Sequence, residues 1–188
     1  PPAGYRAPGL MAQFWEVVAH HCVASFSGVP TVYAGLLESP AEGLDLSCLD
    51  YAICGAAPMP VELLNTFEQR TGMRMLEGYG LTESTAAASL TPTQGKPCAG
   101  SIGLRLPWEA LRIMVLDDEG NYLRDAQVEE VGVIALSGPN VFAGYLSEVH
   151  NASAWIAVPG SAQRWLNTGD LARADADGYL WLTGRKKE

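Results

Sequence analysis

Apolar residues in the first hundred positions follow two alternating patterns. Residues 8–22 carry apolar side chains at every third or fourth position, which predicts an amphipathic helix. A short β-rich run at 23–29 follows, and Pro30 then begins a second helical segment that extends through Leu37. Three further segments repeat this order of strand, helix and strand: 51–54, 60–72 and 74–76. Strands that alternate with helices of this length predict a parallel sheet with helices on its faces.

The pattern changes after about residue 100, where the apolar runs are short and the turns are rich in Asp and Gly. Strands are predicted at three places: 111–116, 131–136 and 179–182. The turns 117–120 and 175–178 contain the residues that tight hairpins require. We therefore predict an α/β protein, with a partial parallel αβ layer at residues 1–100 and a small, mostly β, barrel-like subdomain at 101–188.

The charge balance of the chain argues against a nucleic-acid partner. Of its 188 residues, 48% are hydrophobic and 18% charged, which is ordinary usage for a folded globular protein. The formal net charge is −9, and Lys96, Lys186 and Lys187 are the only lysines, so no basic stripe exists to neutralise a polynucleotide backbone.

Other sequence features exclude some kinds of site. The four cysteines lack a Cys-x-x-Cys pair and an accompanying His cluster, so neither a zinc site nor a disulfide framework is indicated. Asn151-Ala152-Ser153 matches a glycosylation sequon, a triplet that also arises by chance.

No apolar run is long enough to span a bilayer, and we expect a cytoplasmic location. The chain opens on Pro1 without an initiator Met and closes directly after a strand-like run, so we expect it to be an internal piece of a longer protein.

Segment 77–84, with the sequence EGYGLTES, is the first candidate for ligand chemistry. Its two glycines would allow the backbone to approach a ligand closely, and Tyr79 offers a flat face for a base. Thr82 supplies a hydroxyl beside the Glu83 carboxylate, which could hold a divalent cation. A simple turn with a surface charge would explain the same residues equally well.

Thr168-Gly169-Asp170 is the second candidate, at the edge of a predicted strand. The Asp170 carboxylate could accept hydrogen bonds from both hydroxyls of a ribose. The same triplet is also common in turns.

Gly55-Ala56-Ala57-Pro58 is the third candidate, directly after a buried strand. In an open α/β sheet, small residues at the carboxyl end of a strand leave room for a ligand. Taken alone, a tight strand-to-helix turn is the simpler interpretation.

The order of these segments along the chain resembles the adenylate-forming superfamily. Five matches follow one another: the small-residue turn at 55–58, Tyr-Gly-x-Thr-Glu at 79–83, Gly-Pro-Asn-Val-Phe-x-Gly-Tyr at 138–145, Thr-Gly-Asp at 168–170, and Asp-Gly-Tyr-Leu with Gly-Arg-x-Lys-Glu at 177–188. The resemblance is closest to acyl-CoA synthetases. It implies that an acid and ATP form an acyl-adenylate with loss of pyrophosphate, and that the thiol of coenzyme A then attacks the activated carbonyl. The implied cofactors are ATP, Mg²⁺ and coenzyme A, and the implied partner is a small-molecule carboxylic acid.

The resemblance also assigns nucleotide-binding residues in the first half of the chain. By position, the backbone of Gly55, Ala56 and Ala57 would border the adenine and acyl sites. Tyr79 would stack near the purine, and Gly80 belongs to the same implied nucleotide-binding set.

The remaining implied roles concern the phosphates, the ribose and a hinge. Thr82 would touch the α-phosphate and Glu83 would bind magnesium, which makes these two the implied catalytic residues. Asp170 would hold the ribose hydroxyls, and Arg185 would reach the ribose or phosphates. Lys187 would be the hinge about which a small C-terminal domain rotates between the two half-reactions.

Two positions depart from the pattern of the superfamily. Val133 stands where Glu usually precedes the Gly-Pro segment, and Asn167 stands before Thr-Gly-Asp where Arg or His is frequent. Neither position is Glu83 or Asp170, so we still expect the intact enzyme to be active.

Other functions share these motifs and stay open. An amino-acid-activating domain of a peptide synthetase, a luciferase-like oxygenase and a catalytically incomplete nucleotide-binding module would carry the same segments. The small residues Gly78, Gly80 and 86–88 would suit an acyl tunnel for a long or bulky aryl acid, but packing of a helix against a strand explains them equally well, so fatty and aromatic acids both stay open. The phosphate loop and catalytic lysine of the superfamily would lie outside this chain, so we expect the chain alone to be inactive. Half of a parallel sheet should expose an edge, so we also expect self-association.

Overall fold

A computed structural model describes residues 3–39, 41–96 and 98–186. The chain divides into two compact units. The first comprises Pro1–Glu77 and Thr93–Gly100, and the second comprises Gly78–Pro92 and Ser101–Glu188. Residues 78–92 thus group with the β-rich half, although they precede residue 100.

The first unit is a parallel sheet with helices between its strands. After a 3₁₀ turn at Gly4–Arg6, its elements are α1 Leu10–His20, β1 Ser25–Gly28, α2 Pro30–Leu37, β2 Tyr51–Cys54, α3 Val61–Thr71 and β3 Arg74–Tyr79. β1 pairs in parallel with β2, and β2 with β3. The last two residues of β3 belong to the second unit. The predicted parallel αβ layer is confirmed.

Local chemistry explains where two of these helices begin and end. Pro30 occupies the first position of α2, where its missing N–H costs nothing. Gly72 ends α3 with a φ of 71°, a left-handed conformation that glycine adopts without strain.

The helices of this unit also contact one another. The rings of Tyr33 on α2 and Phe67 on α3 pack edge to face with centroids 5.1 Å apart, and the Trp15 indole N–H on α1 donates a hydrogen bond to the Leu36 carbonyl on α2 at 3.2 Å.

The second unit is antiparallel. Its elements are β4 Ser89–Leu90, β5 Leu104–Arg105, β6 Ala110–Leu116, β7 Tyr122–Asp125, β8 Gly132–Ser137, α4 Glu148–Asn151, β9 Trp155–Ile156, β10 Trp165–Ala174 and β11 Leu180–Arg185. The main sheet has the order β11-β10-β8-β6-β7, with β9 paired to β10. β4 pairs with the end of β3 and with β5. The predicted mostly β second part is confirmed.

The structure contains strands that the apolar pattern did not list, chiefly β7 and the full length of β10, of which only a strand edge beside Thr168-Gly169-Asp170 was expected. The sequence of β10 includes Asn167, Thr168 and Gly169, residues typical of a turn. Its pairing with β8 shifts register between Asn167 and Leu171, so the strand continues through an irregularity. β8 lies between β6 and β10 and is buried along its whole length, since Ile134 and Leu136 belong to one buried apolar cluster and Ala135 to another. None of the helices in the described residues is long and apolar enough to cross a membrane.

Candidate functional site

The turn after β3 carries the two predicted catalytic residues. Thr82–Ser84 form a 3₁₀ turn in which Thr82 is exposed, Glu83 half-buried and Ser84 buried. The Ser84 hydroxyl accepts a hydrogen bond from the Leu81 N–H at 3.2 Å and donates one to the Leu81 carbonyl at 3.1 Å. The buried Ser84 hydroxyl therefore stabilises the turn, while Thr82 and part of Glu83 stay accessible to solvent.

Two residues just after this turn adopt a left-handed backbone. Thr85 has a φ of 54° and Ala86 a φ of 83°, a conformation that costs non-glycine residues about 1–3 kcal/mol each. Thr85 is held by a hydrogen bond from its hydroxyl to the Asn140 carbonyl at 2.7 Å. The Asn140 amide in turn donates to the Ser84 carbonyl at 3.0 Å. Segment 138–145 thus holds the strained turn in place.

Gly80 is required by the chain's own backbone. A Cβ atom at this position would lie 1.7 Å from the Ala86 carbonyl oxygen and 2.7 Å from the Ala87 Cα. The group that approaches Gly80 closely is therefore the protein's own backbone at residues 86 and 87, whereas the sequence predicted the approach of a ligand. Its role toward a nucleotide stays a prediction.

Tyr79, Asp170 and Arg185 meet in one cluster. The Tyr79 hydroxyl donates to Asp170 Oδ2 at 2.6 Å, and Arg185 Nε lies 3.4 Å from Asp170 Oδ1. Asp170 on β10 and Arg185 on β11 are paired residues across the two strands. Burial, and then the bond to Asp170, raises the pKa of the Tyr79 hydroxyl above its ordinary value, so this hydroxyl is a proton donor at neutral pH.

The backbone of Asp170 is fixed by a bond within its own strand. Its backbone N–H donates to the Thr168 hydroxyl at 3.1 Å, and that hydroxyl donates to the Ile134 carbonyl on β8 at 2.8 Å. Asp170 is 19% exposed and Arg185 61% exposed, so the carboxylate is sheltered while the guanidinium reaches solvent.

Glu83 has a tyrosine partner as well. The Tyr145 hydroxyl donates to Glu83 Oε1 at 2.6 Å, and the Phe142 N–H donates to the Glu83 carbonyl at 2.8 Å. The bond to Glu83 is the main cause that raises the pKa of Tyr145 above its ordinary value. Sequence reasoning did not assign Tyr145 to the site, although its position in the Gly-Tyr pair of segment 138–145 was a signal.

The donor set around Glu83 fits one kind of metal site. Within residues 3–39, 41–96 and 98–186, no group of three or more His, Cys, Asp or Glu side chains could hold a metal on its own. A Mg²⁺ ion, however, is often bound by one or two carboxylates together with phosphate oxygens and water. Glu83 could serve as such a ligand, because its bond to Tyr145 occupies only one of the two carboxylate oxygens.

The predicted residues 55–57 lie in the first unit. Gly55 follows β2 and donates its N–H to the Gly28 carbonyl, the last residue of β1, at 3.2 Å. Ala56 is exposed and has a φ of 64°, and Ala57 is also exposed. The segment therefore sits at the carboxyl ends of two parallel strands, where open α/β sheets bind ligands. The predicted hinge, Lys187, lies outside the described residues.

A cavity of about 280 Å³ lies in the second unit beside the strained turn. Its lining comprises Thr85, Ala87, Leu106, Pro107, Trp108, Glu109, Pro139 and Asn140. A larger cavity, of about 720 Å³, is lined by residues of β5, β6, β7, β11 and their connections and by Ala174 at the end of β10, and none of the predicted site residues belongs to that lining.

Relatives with curated names match almost the whole chain. A marinolic acid–CoA ligase from Pseudoalteromonas sp. (strain SANK 73390) is 48% identical over 185 residues, which cover 98% of this chain and 28% of that protein. A long-chain-fatty-acid–CoA ligase from Bacillus subtilis (strain 168) is 33% identical over 174 residues, 92% of this chain and 30% of that protein. The chain thus spans less than a third of the length of these relatives.

Solved structures match over a similar share. An anthranilate CoA ligase in complex with anthranoyl-AMP has a TM-score of 0.76 at 26% identity, covering 95% of this chain and 33% of that one. O-succinylbenzoate coenzyme A synthetase from Bacillus subtilis, in complex with ATP and magnesium, has a TM-score of 0.76 at 26% identity, with 94% and 34% covered. A long-chain-fatty-acid-CoA ligase from Archaeoglobus fulgidus has a TM-score of 0.82 at 24% identity, with 93% and 36% covered, and supports the fold alone.

A family model described as AMP-binding enzyme matches residues 3–146, well over half of the chain. This match includes segments 55–58, 79–83 and 138–145, on which the resemblance to adenylate-forming enzymes partly rested. The recognition made from the motifs is confirmed, and the chain belongs to the AMP-binding enzyme family of adenylate-forming proteins.

Proposed function

We propose that the protein containing this chain is an AMP-forming acid–thiol ligase. It would activate a carboxylic acid with ATP to an acyl-adenylate, release pyrophosphate, and pass the acyl group to coenzyme A. The observation that carries the proposal is the pair of tyrosine–carboxylate bonds in the second unit, Tyr79 to Asp170 and Tyr145 to Glu83. They orient the two carboxylates to which the resemblance assigns the ribose and the cation. Family membership and relatives named CoA ligases support the same conclusion.

Thr82 and Glu83 would act on the phosphates. The exposed Thr82 hydroxyl can donate to an α-phosphate oxygen, and the free acceptor capacity of the Glu83 carboxylate can ligate Mg²⁺. When bound, Mg²⁺ neutralises charge that builds on the phosphates as pyrophosphate leaves. The strained backbone at Thr85 and Ala86 is consistent with this role, because such strain is concentrated at functional turns.

Asp170 and Arg185 would bind the ribose and its phosphate. A carboxylate has about four lone-pair positions, so Asp170 can accept from ribose hydroxyls while it keeps the bond from Tyr79. Arg185 is mostly exposed and its long side chain can turn from Asp170 toward a phosphate. Tyr79 and Gly80 would border the purine, and residues 55–57 the adenine and acyl sites.

The acid is a fatty or an aryl carboxylic acid in our proposal. The relative named for long-chain fatty acids favours a long aliphatic acid, whereas the structure with anthranoyl-AMP is that of an anthranilate CoA ligase and favours an aryl acid. The cytoplasmic location expected from the sequence stays a prediction.

Acid-dependent exchange between ATP and radiolabelled pyrophosphate tests the proposal. The complete protein is given a panel of a long-chain fatty acid, an aryl acid and an amino acid, and thioester formation with coenzyme A is then measured for each acid that supports exchange. We expect exchange and thioester formation with a fatty or aryl acid. Exchange with the amino acid alone would favour the peptide-synthetase alternative, and nucleotide binding without any exchange would favour the incomplete binding module.

A further inference from the structure

One short segment bonds to Glu83 at two points. The Phe142 N–H donates to the Glu83 backbone carbonyl at 2.8 Å, and the Tyr145 hydroxyl donates to Glu83 Oε1 at 2.6 Å. The first bond places the backbone of Glu83 and the second orients its carboxylate. Residues 142–145 therefore determine where this carboxylate points.

Asn151 fixes the backbone of Tyr145 from both sides. Its Oδ1 accepts the Tyr145 N–H at 2.8 Å, and its Nδ2 donates to the Tyr145 carbonyl at 3.1 Å. This approach requires Gly144, because a Cβ atom there would lie 2.9 Å from Asn151 Oδ1 and because its φ of 145° favours glycine. Asn151 is the first residue of the sequon at 151–153, and both ends of its amide are used in this contact.

The ring of Tyr145 is held by other aromatic side chains. It packs edge to face against Phe142, with centroids 4.8 Å apart, and against His150 at 6.1 Å. Phe142 is itself stacked on Trp155 at 5.7 Å. The direction of the Tyr145 hydroxyl is thus determined by packing as well as by its bond to Glu83.

We propose that Tyr145 is a positioning residue for the cation ligand Glu83, and that Asn151 acts through Tyr145. This inference rests on the proposed function, in which Glu83 binds Mg²⁺. Tyr145 holds Oε1 of the carboxylate and thereby directs the other oxygen to the cation. Loss of a hydrogen-bond partner of a metal ligand typically costs about 10–100-fold in metal affinity.

The test compares Tyr145→Phe with a matched control, Tyr122→Phe. Tyr122 lies in the same unit, and its hydroxyl bonds Arg112 at 3.1 Å and Asp125 at 3.3 Å instead of a predicted site residue. Affinity for Mn²⁺ is measured by calorimetry in the presence of a non-hydrolysable ATP analogue, which requires no turnover. We expect Tyr145→Phe to weaken Mn²⁺ binding about 10-fold and Tyr122→Phe to leave it unchanged. The Mg²⁺ concentration for half-maximal pyrophosphate exchange should rise by the same factor.

A second pair of variants tests the role of Asn151. Asn151→Ala removes both bonds to Tyr145, whereas Asn151→Asp keeps an acceptor for the Tyr145 N–H. We expect Asn151→Ala to weaken Mn²⁺ binding and Asn151→Asp to recover part of the loss. Calorimetry with the ATP analogue in a metal chelator should show equal nucleotide affinity for wild type and Tyr145→Phe.

Two results would overturn the inference: equal Mn²⁺ affinity of Tyr145→Phe and wild type, or an equal loss of nucleotide affinity with and without metal. The second would mean that Tyr145 only maintains the fold. If the wild type activates no acid, the proposed function fails, yet the calorimetric comparison still decides whether Tyr145 positions Glu83.

Discussion

Replacement of Glu109 by glutamine should stabilise this protein at neutral pH. Glu109 is only 4% exposed, and both of its carboxylate oxygens are buried without a hydrogen-bond partner among the described residues. Burial raises the pKa of this carboxyl, an effect that the neighbouring Asn140 side chain only partly offsets. Oδ1 of Asn140 is also buried without a partner in the described chain. A glutamine would remove the charge, keep the shape and bring an N–H that can donate to this oxygen.

The sign of the pH effect follows from the raised pKa. An unfolded Glu109 loses its proton near its ordinary pKa of about 4.3, while the folded state keeps the proton to higher pH. Over this window the folded state binds more protons, so the free energy of unfolding falls as pH rises through the folded pKa. Above it the folded protein carries a buried charge without a partner.

The stabilisation expected from Glu109→Gln follows from the free-energy cost of leaving a buried polar group without a hydrogen-bond partner, about 1–3 kcal/mol. For a chain of roughly 150–250 residues, each kcal/mol shifts Tm by about 2–4 °C. Taking ~2 kcal/mol, Glu109→Gln should raise Tm at pH 7.5 by about 4–8 °C. Near pH 4, where Glu109 is largely protonated in the unfolded as well as the folded state, the gain should be smaller.

Thermal unfolding followed by circular dichroism between pH 4 and pH 8 measures this difference. The control is Glu119→Gln, which makes the same charge change at an exposed turn position in the same unit. Glu119→Gln should move Tm by no more than about 1–2 °C at any pH, because surface substitutions usually change stability by less than about 0.5 kcal/mol. A lower or unchanged Tm of Glu109→Gln at pH 7.5, or a gain that is the same at pH 4, would refute the reasoning.

Four further predictions concern the proposed activity and the chain itself. Glu83→Gln should lower the rate of pyrophosphate exchange about 100-fold, because a neutral amide is a poor Mg²⁺ ligand; a wild-type rate would remove Glu83 from the site. Asp170→Ala should raise KM for ATP about 10-fold through lost hydrogen bonds to the ribose, and an unchanged KM in steady-state assays would place the ribose elsewhere. Lys187→Pro in the complete protein should keep pyrophosphate exchange but lose most thioester formation from acyl-adenylate, since proline restricts a hinge; equal effects on both steps would exclude the hinge. The 188-residue chain should self-associate through an unpaired sheet edge, and a monomeric mass by light scattering at high concentration would contradict this.

The elements of the first unit were largely predictable because their signals are local. α2 begins at Pro30 and ends at Leu37, and β2 spans Tyr51–Cys54, as the pattern of apolar residues and prolines indicated. The elements of this unit are short, and residues with strong backbone preferences mark some of their ends, such as Pro30 at the start of α2 and Gly72 after α3. The signal therefore needed no knowledge of distant contacts.

β10 could not be predicted in the same way, because what makes it a strand is pairing on both sides. Its residues 167–170 are polar or glycine and favour a turn locally, and Gly169 has a left-handed φ of 75°. The strand nonetheless pairs with β8 before and after this irregularity, while its other edge pairs first with β9 and then, from Asp170 onward, with β11. Tertiary pairing thus overrides local preference at the position of a predicted site residue, Asp170.

The hydrogen-bond partners within the candidate site could not be predicted from the spacing of residues along the sequence either. The Tyr79 hydroxyl meets Asp170 across 91 positions of the chain, and Tyr145 meets Glu83 across 62. The motifs identified three of these four side chains as site residues, but which carboxylate pairs with which tyrosine depends on the register of the sheet and on the path of segment 138–145. No local pattern contains that information.

The motif at 77–84 combines residues that build the turn with residues that can meet a ligand, and the structure separates them. Gly80 is required because the Ala86 carbonyl oxygen would lie 1.7 Å from a Cβ atom there, and the hydroxyl of buried Ser84 bonds to the backbone of Leu81. The backbones of Thr82 and Glu83 also accept hydrogen bonds, from the Thr85 and Phe142 N–H groups, but the Glu83 carboxylate is held by the Tyr145 hydroxyl and keeps one oxygen for a ligand. Substitutions at Gly80 should therefore damage the turn whether or not a nucleotide is bound, whereas substitutions at Glu83 should act only when the cation and nucleotide are present. Loss of activity in a Gly80 variant would therefore not show that Gly80 contacts a ligand. A binding residue in this motif is identified by a substitution whose effect depends on the presence of the ligand, more than by the size of that effect.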